Sequence, residues 1–581
     1  MQAKRWKTVP FDSDVAGRLS VQTGLPPAVG RLLAARGFTA PDEIDAWLTP
    51  RLSALSDPFE LPDMMPAVER LLRALDRQER VLVYGDYDVD GVTSTALLVH
   101  VLRALGGDAV PFLPHRVDDG YGLALEPLER ALDDLTPDCI VTVDCGTGST
   151  AAVERARSAG VDVVVTDHHE PGPVIAPALA VINPKRLPAP DPRRHLAGVG
   201  VAFKLAHGLL KALRGNNDAR AAALDLRQHL DWVALGTIAD MVELHGENRA
   251  LARHGLAQLN RTRKAGLLAL KKVARIDGPV DAYHVGFLLG PRLNAAGRLG
   301  TAETALALLL TDDQDEADRL AGELDRTNRD RQQVEASMLE TAVAQLDRRY
   351  DPDRDWGVVV AEPGWHPGVI GIVASRLCAR YTRPVVVIAV GTDGTGRGSC
   401  RSIASFDMVA GLHACSEHLT RFGGHAMAAG LEIEVDQIPA FSRCFNEVVQ
   451  DRVTLEALRP EQRIDAWIRL DEVNWPLVET LERMAPFGLG NPRPVWAVYG
   501  ATLLGTPRIV GGHHLKMKVL QGQTQVEAIA FNRADEPIPD GPLDMAFQLA
   551  RNTFRGRDTI QMTVQDIRPA DLNATPDRRG T

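Results

Sequence analysis

Arg80-Val81-Leu82-Val83-Tyr84-Gly85-Asp86-Tyr87-Asp88-Val89-Asp90-Gly91 decides how this chain is read. Arg80 to Tyr84 has the apolar character of a short buried strand. It runs into three aspartates at alternate positions and a glycine. Thr93, Ser94 and an apolar helical pattern follow as far as Leu105, stopped by Gly106-Gly107. Working outward, Ala109-Val110-Pro111-Phe112-Leu113, Cys139-Ile140-Val141-Thr142-Val143 and Val161-Asp162-Val163-Val164-Val165 read as further strands, with a helix from about Ser149 to Ala159. Strands alternating with helices predict an α/β fold built on a parallel sheet covered on both faces.

Acidic and histidine residues stand where these strands end. Asp144 follows the third strand, and Asp167-His168-His169 follows the fourth. Asp240 closes an apolar helical run from Trp232 to Ile238. In open α/β sheets, ligands bind at the carboxyl edge of the strands. Asp86, Asp88 and Asp90, at alternate positions of an extended segment, point the same way. Converging carboxylates repel one another, and a cation relieves that. Carboxylate oxygens with one or two imidazoles suit a pair of Mn²⁺ or Mg²⁺ ions better than zinc. Two such ions about 3.5–4 Å apart serve the hydrolysis of phosphate esters. Each segment alone has a plainer reading. The aspartates make a solvated turn whose acids suit a helix dipole, Asp144 is an N-cap, and the histidines lie on a solvated loop. Placed together on one sheet edge, they indicate a metal-dependent phosphodiesterase.

The chain has 581 residues, enough for several domains. Residues 1–75 read as an N-terminal extension packed on the core, 76–250 as the catalytic core and 251–350 as a helical connector. A long charged helix runs from Asp312 to about Arg349. Residues 351–460 form a second α/β domain, with strands at Gly357–Ala361 and Pro384–Ala389 and a helix at Gly368–Cys378. Short alternating segments over 461–570, joined by Gly-rich turns, suggest a small β-barrel. Residues 571–581 read as a disordered tail. The six cysteines are scattered with no CxxC pair, which argues for a reducing compartment and against structural zinc. The N-terminus lacks the apolar core of a signal peptide, and no run is apolar and long enough to cross a bilayer, so a bacterial cytoplasm is expected. The net charge of −11 speaks against nucleic acid only at first sight, since a site needs just a local basic groove. Arginine greatly outnumbers lysine, which fits bidentate phosphate contacts but also plain high-GC codon usage.

Asp88-Val89-Asp90-Gly91, Val143-Asp144-Cys145-Gly146 and Asp167-His168-His169 resemble the ordered motifs of the DHH phosphoesterase superfamily. Within it, the chain from about 75 to 570 is similar to a branch of single-strand-specific exonucleases. The segments that carry this are Gly290–Arg298, Trp365–Ile372, Arg421–Gly430 and Pro486–Pro492. The resemblance implies a DHH core, a long connecting helix, a DHH-associated domain and a C-terminal oligonucleotide-binding (OB-like) barrel. It implies 5′-to-3′ degradation of single-stranded DNA to mononucleotides, in recombination and repair, with two Mn²⁺ or Mg²⁺ ions. Asp88, Asp90, Asp144, His168 and Asp240 would hold the metals, with Asp144 between them. Asp86 and His169 would stand beside them as catalytic residues, along with Asp144. Many superfamily members have His where this chain has Tyr84, and a protonated phenol is a poor ligand, so one metal would be held more loosely.

Arg292, Asn294 and Arg298 are candidate substrate contacts, with a salt bridge on a loop as the alternative for the arginines. Gly396–Ser402 gathers small residues, hydroxyls and arginines and suits an anion-holding turn. By resemblance, Ser399 and Arg401 would grip the 5′ phosphate together with Arg116; a flexible Gly-rich hairpin is the alternative. Gly424 and His425 would approach the strand, or merely form a turn. Single-strand choice would come from a narrow passage between the two α/β domains. Single-strand-binding protein, a RecQ-type helicase and a monomeric state are implied by resemblance alone, with no membrane association. Two other readings stay open: a DHH phosphodiesterase for short RNA or cyclic dinucleotides, and a DNA-binding scaffold with a decayed site.

Overall fold

The strand Arg80–Gly85 (β1) is an inner strand of a five-stranded sheet. The computed structural model describes residues 4–571 apart from 116–118, 120, 121, 223 and 555. With Asp108–Phe112 (β2), Cys139–Val143 (β3), Asp162–Thr166 (β4) and Ala180–Ile182 (β5), β1 forms the order β2-β1-β3-β4-β5, with every pairing parallel. The short β5 carries no clear sequence signal. Alternate side chains enter different cores, as strand periodicity requires. Val81, Val83, Val141, Val143 and Val164 pack with helices α1 (Met64–Arg77) and α2 (Val89–Ala104). Leu82, Tyr84, Ile140, Val163 and Val165 pack with α3 (Leu125–Leu135) and α4 (Thr150–Ser158). Burial on both faces explains the near-continuous apolar runs. The chain leaves β1 for β2 on one side and reaches β3 on the other. The carboxyl ends of β1 and β3 therefore form a topological switch point, where α/β sheets open a crevice.

Helices α5 (Gly198–Gly215), α6 (Leu230–Ala239) and α7 (Gly290–Leu299) close over that edge, and the 34-residue α8 (Gln314–Asp347) leads on. A second five-stranded sheet follows. It comprises Val358–Pro363 (β6), Val385–Val390 (β7), Thr395–Arg401 (β8), Arg421–Gly424 (β9) and Ala428–Glu434 (β10), in the order β9-β10-β8-β7-β6. β6 and β7 are parallel and joined by α9 (Ile370–Tyr381), while the remaining pairings are antiparallel.

The chain forms two compact units. One comprises residues 52–458 with 488–490, and the other 1–51, 459–487 and 491–581. The expectation of a single N-terminal extension packed on the core is therefore corrected. Met64–Arg77 does pack on the catalytic sheet. Leu19, Val29, Leu32 and Ile44, by contrast, share an apolar core with Trp496, Met545 and Phe547 of the C-terminal segment. In that unit the strand Trp496–Leu503 pairs with both Leu543–Phe554 and His514–Gln521, which closes the sheet into a barrel. No helix among the described residues is long and apolar enough to cross a membrane.

Candidate active site

The three aspartates after β1 do not lie on one extended segment, contrary to the sequence expectation. Asp86 follows the strand, Asp88 is the N-cap of α2, and Asp90 sits in the first helical turn. Asp88 Oδ1 accepts from the backbone N–H of Asp90 (2.9 Å) and Gly91 (3.1 Å), so the turn caps a helix while its carboxylates also converge. Asp90 turns inward, where its carboxylate accepts from the N–H of Gly198 (2.6 Å) and Val199 (2.8 Å) at the start of α5.

Asp144 leaves β3 in a left-handed conformation, φ +63°, which is uncommon outside glycine and fixes where its carboxylate points. Neighbouring helices come close only because they present glycine. A Cβ on Gly198 would lie 2.6 Å from Asp144 Oδ1, and one on Gly236 of α6 would lie 2.6 Å from Asp90 Oδ1. The approach of α6 in turn carries Asp240, its C-cap, to the cluster. His168 Nε2 lies 3.1 Å from Asp144 Oδ1, 3.6 Å from Asp240 Oδ2 and 3.8 Å from Asp90 Oδ2. Three sets of ligand atoms each fall within 4.8 Å: Asp86, Asp88 and Asp144; Asp90, His168 and Asp240; and Asp144, His168 and His169.

Electrostatics show why this arrangement calls for a cation. Burial, followed by the charge of Asp88, raises Asp90 to about 7. Burial and the neighbouring aspartates raise Asp240 to about 9 and Asp144 far above the usual carboxylate range. Burial, helped by His169, lowers His168 to about 3, so it presents a neutral imidazole. Asp144 Oδ1 and His168 Nε2 are buried and form no hydrogen bond. Carboxylate-rich donors with one or two imidazoles fit hard divalent ions.

Asp167 carries a role the sequence did not disclose. Buried, it accepts from the N–H of Thr147 (2.9 Å), His168 (2.7 Å) and His169 (3.1 Å), and its Oδ1 lies 2.8 Å from His169 Nδ1. Burial works against its charge, yet these bonds hold it at about 2, and it raises the His169 imidazole in return. The only available signal was its place beside the histidine pair. Tyr84 stands apart from the ligands: its hydroxyl donates to the Gly122 carbonyl (3.3 Å) and its ring stacks on Phe112.

The candidate substrate residues divide. Arg292 and Asn294 lie on helix α7, not on a loop. Arg292 Nε pairs with Asp325 Oδ1 at 3.0 Å and Nη1 donates to the Leu288 carbonyl, so the salt-bridge reading describes it. Asn294 Oδ1 accepts from Val89 N–H (3.0 Å) and so braces the acidic turn from outside. Arg298 Nη1 donates to the Gly368 carbonyl (3.2 Å) and lines a cleft with Ser399 and Arg401. Gly396–Ser402 is not an anion-holding turn: its residues up to Arg401 belong to strand β8, the second arm of a hairpin with β7. Its glycines and Cys400 face inward, and Arg397, Ser399 and Arg401 share the other face. Arg401 Nη1 donates to Ser399 Oγ and Nε to Ser375 Oγ, both at 3.1 Å. Gly424, at φ +146°, and the exposed His425 form the β9–β10 hairpin tip, closed by His425 N–H to the Ala428 carbonyl (2.8 Å). Arg116 lies outside the described residues.

Three family models match. The DHH family N-terminal domain covers residues 80–237, the DHHA1 domain 355–451 and the RecJ OB domain 464–566. The chain is 39% identical to the single-stranded-DNA-specific exonuclease RecJ of Escherichia coli, over 94% of this chain and 96% of the relative. It is 35% identical to that of Bacillus subtilis, over 97% of this chain and 70% of the relative. Among solved structures, RecJ from Thermus thermophilus in complex with Mn²⁺ superposes with a TM-score of 0.82 at 32% identity, covering 98% of this chain and 80% of that one. At 39% identity over nearly the whole of both chains, with DHH, DHHA1 and RecJ OB domains in order, the chain belongs to the RecJ family of DHH proteins.

Proposed function

We propose that the chain is a metal-dependent exonuclease that degrades single-stranded DNA from its 5′ end to mononucleotides, in recombination and repair. The observation that carries this is the cluster at the switch point, where Asp144 and His168 each belong to two ligand sets. Asp88, Asp90, Asp144, His168 and Asp240 would hold two Mn²⁺ or Mg²⁺ ions, with Asp144 shared and Asp86 beside them. When bound, the ions supply the Lewis acidity that phosphodiester hydrolysis requires. The chain's own residues do the rest. The α5 N-terminus and the Asp88 cap fix the carboxylates before substrate arrives. Asp167 holds His169 by Nδ1 and favours its protonated form, which leaves an Nε2–H to donate to a phosphate oxygen.

Arg298, Ser399 and Arg401, with Arg116, would take the terminal 5′ phosphate, and Gly424 and His425 the strand beside it. Asn294 acts by positioning the acidic turn, and Arg292 by tying α7 to α8. A passage between the two α/β domains too narrow for a duplex would select single strands. The barrel and the relatives' printed activity favour this reading over a phosphodiesterase for short RNA or cyclic dinucleotides. Single-strand-binding protein, a RecQ-type helicase and a monomeric state complete the reading on resemblance alone, and the scattered cysteines with no CxxC pair favour a cytoplasmic location. The test is incubation with Mn²⁺ and a 3′-labelled, 5′-phosphorylated single strand, beside the matching duplex and a 5′-blocked strand. The expected result is progressive shortening of the free strand alone. Equal degradation of a blunt duplex refutes the passage, and cleavage only of short RNA or cyclic dinucleotides refutes the substrate.

A further inference from the structure

The cleft that holds Ser399 and Arg401 is larger and more basic than a single terminal phosphate needs. It encloses about 720 Å³, and its described lining carries Arg298, Arg397, Arg401 and Arg421 against one carboxylate, Glu432. Strand register arranges these residues in rows on the face of the second sheet. Arg421, Glu432 and Arg397 stand directly across β9, β10 and β8. The next row on that face is Gly423, Gly430 and Ser399, and beyond it lies Arg401 opposite Ala428. Two glycines in the middle row leave a trough. A Cβ on Gly423 would meet nothing within 4 Å, and one on Gly430 only a backbone oxygen at 3.8 Å. Arg397 and Arg401, four residues apart on an extended strand, wall the trough about 13 Å from each other.

The trough has a direction. Arg298 and Ser375 line both this cleft and a second one. That second cleft is also lined by Asn294, which braces the acidic turn, and by Met241, next to Asp240. From the metal-ligand cluster, then, Arg298 and Arg401 come first, and the row of Arg397 and Arg421 lies beyond them. If a strand places its terminal phosphate at Arg298, Ser399 and Arg401, whatever extends past that phosphate points into the trough. A strand has only more phosphate to put there.

We propose that the trough walled by Arg397 and Arg421 binds the β- and γ-phosphates of a 5′-triphosphorylated strand, so that the enzyme accepts polyphosphate 5′ ends as substrates. The proposal rests on the assignment of the 5′ phosphate to Ser399 and Arg401. Glu432 stands between the two arginines in the strand register, and one carboxylate against two guanidinium groups leaves the row with net positive charge. In the first turnover, water adds its oxygen to the phosphorus of the second nucleotide. The bond from that phosphorus to the first nucleotide's 3′ oxygen breaks, and the proton passes to the 3′ oxygen. The first product is then a nucleoside triphosphate with a free 3′-hydroxyl, and every later product is a monophosphate.

The test compares one 3′-labelled single strand bearing a 5′-hydroxyl, monophosphate or triphosphate, with product analysis by ion exchange. The expected result for the unaltered protein is release of a nucleoside triphosphate first, and a KM for the triphosphorylated strand roughly tenfold below that for the monophosphorylated one. The double variant Arg397→Ala/Arg421→Ala should lose that advantage without an equal loss on the monophosphorylated strand. Arg401→Ala should weaken both phosphorylated strands. A triphosphorylated strand that is refused, or used no better than a monophosphorylated one, overturns the proposal while leaving the 5′-phosphate assignment intact. Equal damage to both strands in the double variant overturns it too, by placing those arginines at the terminal phosphate. Indifference to any 5′ phosphate, with Arg401→Ala unchanged, overturns the assignment and this proposal with it.

Discussion

Adding one methyl group at Gly198 tests how the site is built without substituting any proposed ligand. In Gly198→Ala the new Cβ would sit 2.6 Å from Asp144 Oδ1 and 2.9 Å from its Cβ and Cγ. That is about 1 Å inside an ordinary contact of 3.5–4.0 Å. Relief is hard to find. Asp144 is buried and held at φ +63°, and Gly198 N–H is itself bonded to Asp90. Either the Asp144 carboxylate swings or α5 shifts and loosens Asp90. Overpacking of this kind costs about 1–3 kcal/mol of stability, and misplacement of a reacting group by about 1 Å costs on the order of 100-fold in rate. Thermal unfolding should register the first effect, and single-turnover hydrolysis of a labelled strand under saturating Mn²⁺ the second. Strand binding, measured in Ca²⁺ or without metal, should change little. A variant that folds, binds strands and hydrolyses them within about threefold of the unaltered rate (a tenth of the predicted loss or less) would show that the Gly198–Asp144 approach does not set the site.

Other consequences follow from the same geometry. In metal-free protein, Asp90 and Asp240 keep protons up to about 7 and about 9, whereas unfolded carboxylates lose them near pH 4. The folded state binds more protons at these two groups across that window, so their contribution to stability is fully present below about pH 4 and is lost as pH rises toward 9. Unfolding temperatures in chelator should therefore fall over that range, and Mn²⁺ should flatten the trend; a flat profile without metal contradicts the crowding of charge. Asp167→Asn keeps the side-chain shape but sets an amide against N–H donors. Activity should drop about 10- to 100-fold, and the His169 imidazole should titrate lower by NMR; an unmoved His169 titration would remove Asp167 from its positioning role. Arg292→Ala should lower stability by about 1.5 kcal/mol, the low end for a hydrogen bond to a charged group, and leave the KM for strands unchanged. A raised KM at unchanged stability would return Arg292 to the substrate.

The catalytic sheet was legible because its strands are buried on both faces. Continuous valine and isoleucine runs such as Val163–Val165 leave little room for another assignment. The ligand segments were legible because each follows such a run. Chain geometry at the turn was not. Asp86, Asp88 and Asp90 alternate in sequence, but Asp88 found a better use for its oxygen in capping α2, and that rolled Asp90 into the helix. Gly198 and Gly236 were invisible as site residues because their contribution is an absent side chain. Arg292 and Asn294 sit in a motif that suggests substrate contact, yet their partners Asp325 and Val89 lie far away in sequence. The stretch around Ser399 misled through its glycines. In β8 those glycines serve close packing against Ile388 and Leu431, and the alternation of strand faces, not a turn, gathers the arginines. The division of the first 75 residues between two cores was likewise set by tertiary partners at the far end of the chain.

The central claim is that one cluster holds two divalent ions with Asp144 between them. Low-temperature electron paramagnetic resonance of the protein titrated with Mn²⁺ tests it most directly. The account predicts that the second equivalent of Mn²⁺ produces the spectrum of a spin-coupled pair, and that Asp144→Asn abolishes the coupling. Saturation at one ion, or two ions that keep the six-line spectrum of isolated Mn²⁺, would contradict it.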